Sequence, residues 1–353
     1  MPAKKNIRAL STEELQAYFE EIGQPKFRAN QVEQWLWQKQ AKSFDEMTNL
    51  PLEVRPKLEE DFVVNELIIA EEQLSNDGTV KLAFKLYDGK VVEGVLIPVK
   101  DRMTACISSQ VGCSLACKFC ATGKLKRMRN LDPDEIFDQV VAVKDMAMKY
   151  YNKPLSNIVY MGMGEPLLNY KNVLTSIDRI TGDIGLGMAS KRITVSTAGI
   201  DKMIRKLAED KVKFRLALSL HAANDEKRSK IMPINDQNNL ETLALALDEF
   251  HKNTKNRVTF EYIIFKDFND TLHDAQELVE YCQRVPARVN IIEYNPIDDG
   301  EFQQADPEKV DAFAAHLERN GVVVNIRRSR GKDIDAACGQ LANKNKLANE
   351  AVA

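Results

Sequence analysis

Cys113-Ser-Leu-Ala-Cys117-Lys-Phe-Cys120 sets three thiols within eight residues, a C-x3-C-x2-C run. Three thiolates can each hold one iron of a cubic [4Fe–4S] cluster, whereas a fourth would close it. An iron left open can bind a reactant, the logic of open catalytic metal sites. The run therefore points to an enzyme more than to an electron carrier. Two plainer readings stand beside it, a zinc site and ordinary buried cysteines. Zinc usually takes four ligands, often in two pairs. No second Cys/His pair lies nearby, and the only histidines are His221, His251, His273 and His316. Phe119, next to the last thiol, can shield a cluster from water.

Outward from this run the chain alternates strand and helix patterns. Strands are expected at 104–107, 157–160, 192–195, 214–220, 258–264, 289–293 and 322–326. Helices are expected at 136–150, 172–180, 200–207, 240–250, 273–281 and 307–319. Repeated strand–helix units imply an α/β fold with a parallel sheet and right-handed crossovers. Its site belongs just beyond the carboxyl ends of the strands. Before this region, Asp77-Gly78 and Asp88-Gly89 are turn dipeptides, and 81–86 with 91–99 reads as a hairpin. Residues 1–62 read as helical. Ser11 and Glu14 form a capping box, Gly23 ends that helix, a second stretch runs over 28–38, and 44–47 and 52–58 continue the pattern. Trp35 and Phe44 are expected in the core of this small domain. The polar end of the chain, from Gln340, is expected to fray.

The chain has 353 residues, more than one core usually serves, so a large domain with a satellite is expected. Its 49 basic and 52 acidic residues leave a net charge of −3, so any nucleic-acid footprint must be a local patch. No apolar run suffices to span a membrane, and the start lacks a secretory h-region. The six cysteines are then expected to be reduced thiols in the cytoplasm.

Several groups at expected strand ends are candidates, each with a plain alternative. In Met161-Gly-Met-Gly-Glu165-Pro166, Gly162 and Gly164 allow close backbone approach, and Glu165 can accept from an ammonium or a hydroxyl. A tight strand-to-helix turn is the alternative. Ser196, Ser219, Leu220, His221 and Asn295 end later strands and can orient a polar cofactor or simply cap and turn the chain. Cys338, among small residues, is a nucleophile or a small buried hydrophobe, and Cys106 is open to the same two readings. Glu93 is a solvent-facing strand residue or a site carboxylate. Two basic runs, Lys118 to Arg129 and Arg327 to Lys332, adjoin this chemistry and favour phosphate contacts over plain solvation.

With these residues quoted, the chain resembles the radical S-adenosylmethionine (SAM) enzymes, and within them the RNA adenine-C2 methyltransferases. The resemblance spans nearly the whole chain. It is carried by Cys106-Ile-Ser-Ser-Gln-Val-Gly-Cys113 through Cys120, Gly162-Met-Gly-Glu-Pro-Leu-Leu-Asn169, Ser219-Leu-His221, Met232-Pro-Ile-Asn235 and Asp335-Ala-Ala-Cys-Gly-Gln340.

That resemblance implies a partial (βα)6 radical-SAM barrel over 101–340. A helical accessory domain would precede it at 1–62, with a short β extension at 63–100, and a flexible tail at 341–353 would follow. Cys113, Cys117 and Cys120 would hold one [4Fe–4S] cluster. Gly164, Glu165, Ser196, Ser219, Leu220, His221 and Asn295 would bind SAM, two molecules being used per turnover. Cys338 would take a methyl group from the first. The 5′-deoxyadenosyl radical from the second would abstract hydrogen from it, and the methylene radical would add to C2 of adenine. Cys106 would resolve the adduct through a transient disulfide with Cys338, and Glu93 would accept a proton. The implied targets are an adenosine of 23S rRNA at the peptidyl-transferase centre and the adenosine 3′ of the anticodon in some tRNAs. Such a base must be unstacked to enter. A low-potential donor such as flavodoxin or ferredoxin would supply electrons, and a monomer is expected. A sister family methylates C8 of the same rRNA base, and Glu165-Pro-Leu-Leu-Asn169 resembles the C2 enzymes more. A non-catalytic iron–sulfur RNA-binding protein and a small-molecule radical SAM enzyme are the other readings.

Overall fold

In the computed structural model, which describes residues 4–344, the apolar runs build one sheet of ten strands. They are β1 (Ile68–Leu74), β2 (Val80–Lys85), β3 (Val91–Val99), β4 (Arg102–Cys106), β5 (Asn157–Tyr160), β6 (Ile193–Thr197), β7 (Arg215–Ser219), β8 (Val258–Ile264), β9 (Ala287–Glu293) and β10 (Val324–Arg327). Their order in the sheet is their order in the chain. Strands β4 to β10 are all parallel. Helices α4 (Pro133–Tyr151), α5 (Tyr170–Thr181), α6 (Asp201–Glu209), α7 (Asp225–Ile231), α8 (Leu240–Thr254), α9 (Leu272–Arg284) and α10 (Pro307–Arg319) connect them, numbered after three N-terminal helices given below. Six strand–helix units and a closing strand result, in agreement with the expected partial barrel.

The sheet is curled. Flat, β9 and β1 would lie about 38 Å apart at the usual strand spacing. Yet Lys332 Nζ meets Glu293 at the end of β9 at 3.0 Å, while the next residue, Asp333, accepts from Ser75 Oγ after β1 at 2.5 Å. The C-terminal segment thus straps one edge of the sheet to the other.

The 63–100 region differs from a separate extension. Strand β3 pairs antiparallel with β4, Val95 opposite Cys106, so β1–β3 continue the barrel sheet. The hairpin is as expected, with Gly89 at φ +80° in its turn. The chain end also differs from expectation up to Asn343. Ala342 and Asn343 donate their N–H groups to Glu93 Oε2 at 3.0 and 3.1 Å, and Thr122 Oγ1 donates to the Leu341 carbonyl at 2.6 Å. These bonds override the polar, small composition that suggested fraying. Residues 345–353 of the expected tail lie outside the described residues.

The N-terminal region folds as α1 (Thr12–Glu21), α2 (Phe27–Glu33, continued by a π turn to Gln38) and α3 (Val54–Asp61). The Ser11/Glu14 box is present in both directions. Residues 44–47 form turns instead of helix, because Glu46 Oε1 takes the N–H groups of Lys42 and Ser43. Phe44 is buried as expected, but Trp35 is only partly covered, and Trp37 fills the core in its place. Lys5–Asn6 pairs with Phe62–Val63, tying the two ends of this region together. No described helix is long and apolar enough to cross a membrane.

Candidate active site

The cysteine run leaves β4 as an irregular loop in which Ala116 takes φ +52°. Such a backbone is costly for a β-carbon residue and survives only where its surroundings hold it. Lys118 N–H donates to the Ile231 carbonyl at the end of α7, and Ala121 N–H to the Gly339 carbonyl. The loop is therefore clamped between α7 and the C-terminal strap. Cys117 and Cys120 pack into a satellite apolar cluster of Phe119, Ile231, Met232, Ile263, Phe265 and Tyr294. Phe119 stands edge-on to His221 at 4.6 Å between ring centres. This is the dry setting a cluster needs.

Burial pushes the Cys113 thiol up to about 11, helped by the charges of Cys120 and Glu165. It raises Cys117 and Cys120 as well. A bound metal inverts that preference by taking up thiolates. Among the described residues no three His, Cys, Asp or Glu groups converge as a single-ion site requires. A cubane does not need them to, because each thiolate takes an iron at a different corner. Three thiols on one apolar-backed loop fit that group.

The strand-end residues form a linked rim. Gly164 takes φ +96°, and a Cβ there would stand 2.5 Å from Gln110 Cβ, so glycine is required. The buried Glu165 is spent internally. Its Oε1 accepts from Leu167 N–H at 3.0 Å and its Oε2 from Ala198 N–H at 2.8 Å, joining the β5 loop to the β6 loop. Burial raises its pKa above the usual carboxylate value. Ser196 and Ser219 oxygens lie 3.4 Å apart on neighbouring strands. Leu220 is fully buried in the main core, its N–H bonded to the Glu261 carbonyl and its carbonyl to Arg228 Nε. His221 takes φ +56°, and its Nδ1 accepts from Ile263 N–H at 3.1 Å, leaving Nε2 to carry the proton. Burial, then the nearby Arg228 charge, lowers it to about 3. Asn295 donates to the Cys338 carbonyl at 3.1 Å, while its buried Oδ1 has no partner. An orphaned acceptor at this rim suits a ligand that brings donors, as the ammonium and hydroxyls of SAM do.

Cys338 is solvent-accessible yet ringed by protein, so burial, followed by the charge of Glu261, raises its pKa, while Arg327 opposes. The buried Cys106 thiol is raised by burial and, less, by the charge of Cys338. Glu93 is neither solvent-facing nor free. It is 1% exposed, pairs with Lys81 Nζ at 2.9 Å, and its other oxygen holds the strap.

The basic runs are partly spent inside the molecule. Arg129 pairs with Asp88 and Glu135, Arg328 and Lys332 with Glu293, and Lys124 donates to the Asp299 carbonyl. Lys118, Lys126, Arg127 and Arg327 stay exposed without an ion pair among the described residues.

Two buried groups escaped the reading of the sequence. Arg228 donates to the carbonyls of Ala198, Ser219 and Leu220 and to Asn235 Oδ1. Glu261 accepts from Asn290 at 2.8 Å and keeps its other oxygen unpartnered. Arg228 lies on a short charged helix with no signature of burial; Glu261 interrupts the apolar run of β8, a signal that was available.

The chain matches the model of the ribosomal RNA large subunit methyltransferase N-terminal domain over residues 5–64 and that of the radical SAM superfamily over residues 107–282. It is 58% identical to a protein of Christiangramia forsetii, over 97% of each chain. It is 60% identical to one of Cytophaga hutchinsonii, over 97% of this chain and 93% of that one. Both relatives are described as probable dual-specificity RNA methyltransferases RlmN. A crystal structure of a radical SAM methyltransferase from Sphaerobacter thermophilus superposes with a TM-score of 0.89 at 37% identity, over 96% of this chain and 99% of that one. Sequence, fold and the cysteine loop agree: the chain belongs to the RlmN family of the radical SAM superfamily.

Proposed function

We propose that this protein methylates C2 of adenine in 23S rRNA and tRNA through a methylated Cys338. The superfamily implies a [4Fe–4S] cluster and SAM. The observation that supports the reading best is the seating of the cysteine triplet against the strap that carries Cys338. The residue after the triplet is bonded to Gly339, next to Cys338.

On this reading Cys113, Cys117 and Cys120 hold the cluster. Gly164, Glu165, Ser196, Ser219, Leu220, His221 and Asn295 surround SAM. When bound, the cluster supplies the electron that cleaves SAM to a carbon-centred radical. Cys338 Sγ takes the methyl carbon from a first SAM as the thiol proton leaves. A thiolate is the nucleophile this step needs, since C2 of adenine offers none. The methyl carbon on Cys338 then gives one hydrogen atom to the SAM-derived radical and bonds to C2, the adduct shedding one electron, which the oxidised cluster can take, and the C2 proton to Glu93. Cys106 Sγ closes a disulfide with Cys338 Sγ as the sulfur–methylene bond breaks and the departing carbon takes up a proton to become the methyl group; two electrons from an external reductant reopen the disulfide. Glu93 is the proton acceptor, a task for which it must exchange one of its present bonds. The protein acts as a monomer in the cytoplasm, and Lys118, Lys126, Arg127 and Arg327 meet RNA phosphates. The apolar shell around Phe119 keeps water from the radical.

Anaerobic reconstitution with SAM, reductant and rRNA, followed by nucleoside mass spectrometry, tests the proposal. It predicts 2-methyladenosine from the parent and none from Cys338→Ala with its cluster retained. Exclusive 8-methyladenosine would instead place the chain with the sister chemistry. Unmodified RNA of every kind would contradict the RNA substrate.

A further inference from the structure

Arg228 is a fully buried guanidinium, 0% exposed, on α7. Nε donates to the Leu220 carbonyl at 3.1 Å, Nη1 to Asn235 Oδ1 at 2.8 Å, and Nη2 to the carbonyls of Ala198 and Ser219 at 2.6 and 3.1 Å. No carboxylate touches it among the described residues. The nearest on its hydrogen-bond chain is Asp225, held one amide away by Asn235. All four acceptors are neutral, so none of them supplies a countercharge. Placing a full charge here costs folding energy unless an anion compensates it.

The geometry supplies a place for that anion. Three residues on from Arg228, the Ile231 carbonyl accepts from Lys118 N–H at 3.0 Å, which seats the cysteine loop against this end of α7. Ile231, Met232, Ala198 and Cys117 share the same apolar cluster. Burial brings the guanidinium down to about 10, opposed by the charges of Tyr281, Cys117 and Asp225, and it remains a cation at neutral pH. A cubane held by three thiolates is a net anion, and one more electron adds negative charge. In a dry site a fixed cation favours the more negative state.

We propose that Arg228 is a positioning residue whose positive charge raises the reduction potential of the cluster held at Cys117. The proposal rests on the cluster reading above. The only redox event involved is the uptake of one electron by the cubane from an external low-potential reductant.

The test is an EPR-monitored redox titration of the anaerobically reconstituted full-length protein without SAM. It compares the parent with Arg228→Lys, Arg228→Gln and Arg228→Met, with iron and sulfide measured in each. We expect the neutral variants to hold at least about tenfold less reduced cluster at a given potential, a downward shift of about 59 mV or more for a one-electron couple. Arg228→Lys, which keeps the charge but not the fork, should titrate close to the parent. Loss of the cubane from both neutral variants, with Arg228→Lys intact, also supports a need for charge. Equal potentials in all four proteins, or an equal fall in Lys, Gln and Met variants, would overturn the proposal, as would loss of the cubane from all three variants. A parent that assembles no cubane would instead remove the cluster reading itself.

Discussion

His221 couples fold and site through one ring. Its Nδ1 accepts a backbone N–H, its face meets Phe119, and burial lowers its pKa to about 3. In the unfolded chain a histidine titrates near 6.5. Between those values the unfolded state binds a proton that the folded state refuses, so stability falls as pH falls from about 6.5 toward 3. The slope is about 1.4 kcal/mol per pH unit, or roughly 2 kcal/mol by pH 5. Urea titrations at pH 7 and pH 5 should show that loss, and His221→Asn, whose side chain tolerates the positive φ, should show less of it. At this scale the sequence was a good guide to polar groups at strand ends, since Ser219, His221 and Asn295 all stand on the rim. It was a poor guide to how they are used. Glu165 looked like a free acceptor because one of its donors, Ala198, comes from a loop that only the folded chain brings to it, while the other, Leu167, is a local cap two residues on.

The strap over residues 328–344 is the element on which the proposed chemistry turns. It carries Cys338, crosses from β9 to β1, and ends on Glu93. Glu93 and Lys81 form a buried pair, and removing one partner of such a pair costs about 3–5 kcal/mol. Glu93→Ala should therefore free the strap. Hydrogen exchange of the Ala342 and Asn343 amides should rise by orders of magnitude, with partial rescue in Glu93→Gln, which keeps an acceptor. Unchanged exchange in both variants would leave Glu93 a proton acceptor without an anchoring role. Short apolar runs alternating with helical patterns announced the strands and helices of the barrel. The strap was illegible because its partners, Ser75, Asp77 and Glu93, lie some 250 residues away and its own residues are small and polar.

For the whole molecule, the N-terminal domain is bolted to the barrel and does not hang from it. Arg8 makes two 2.7 Å bonds to Asp138 on α4, lies 5.6 Å from the Trp37 ring centre, and Trp37 stands edge-on to Phe137. Arg179 on α5 adds a 2.8 Å bond to Glu33. Arg8→Ala removes the guanidinium from the buried Asp134 and the partly buried Asp138 and should lower stability by about 3 kcal/mol in urea denaturation. The docking positions the domain beside the barrel; its RNA grip is a separate matter, tested by RNA affinity of the folded variant. The central claim is that a sulfur on the strap, and not RNA itself, first receives the methyl group. Its direct measurement is peptide mass spectrometry of the cluster-loaded protein given methyl-deuterated SAM and reductant, then chased with unlabelled SAM and RNA. The account predicts a deuterated methyl group on the Cys338 peptide that moves to adenine during the chase. A Cys338 that stays unlabelled while RNA becomes methylated would contradict it.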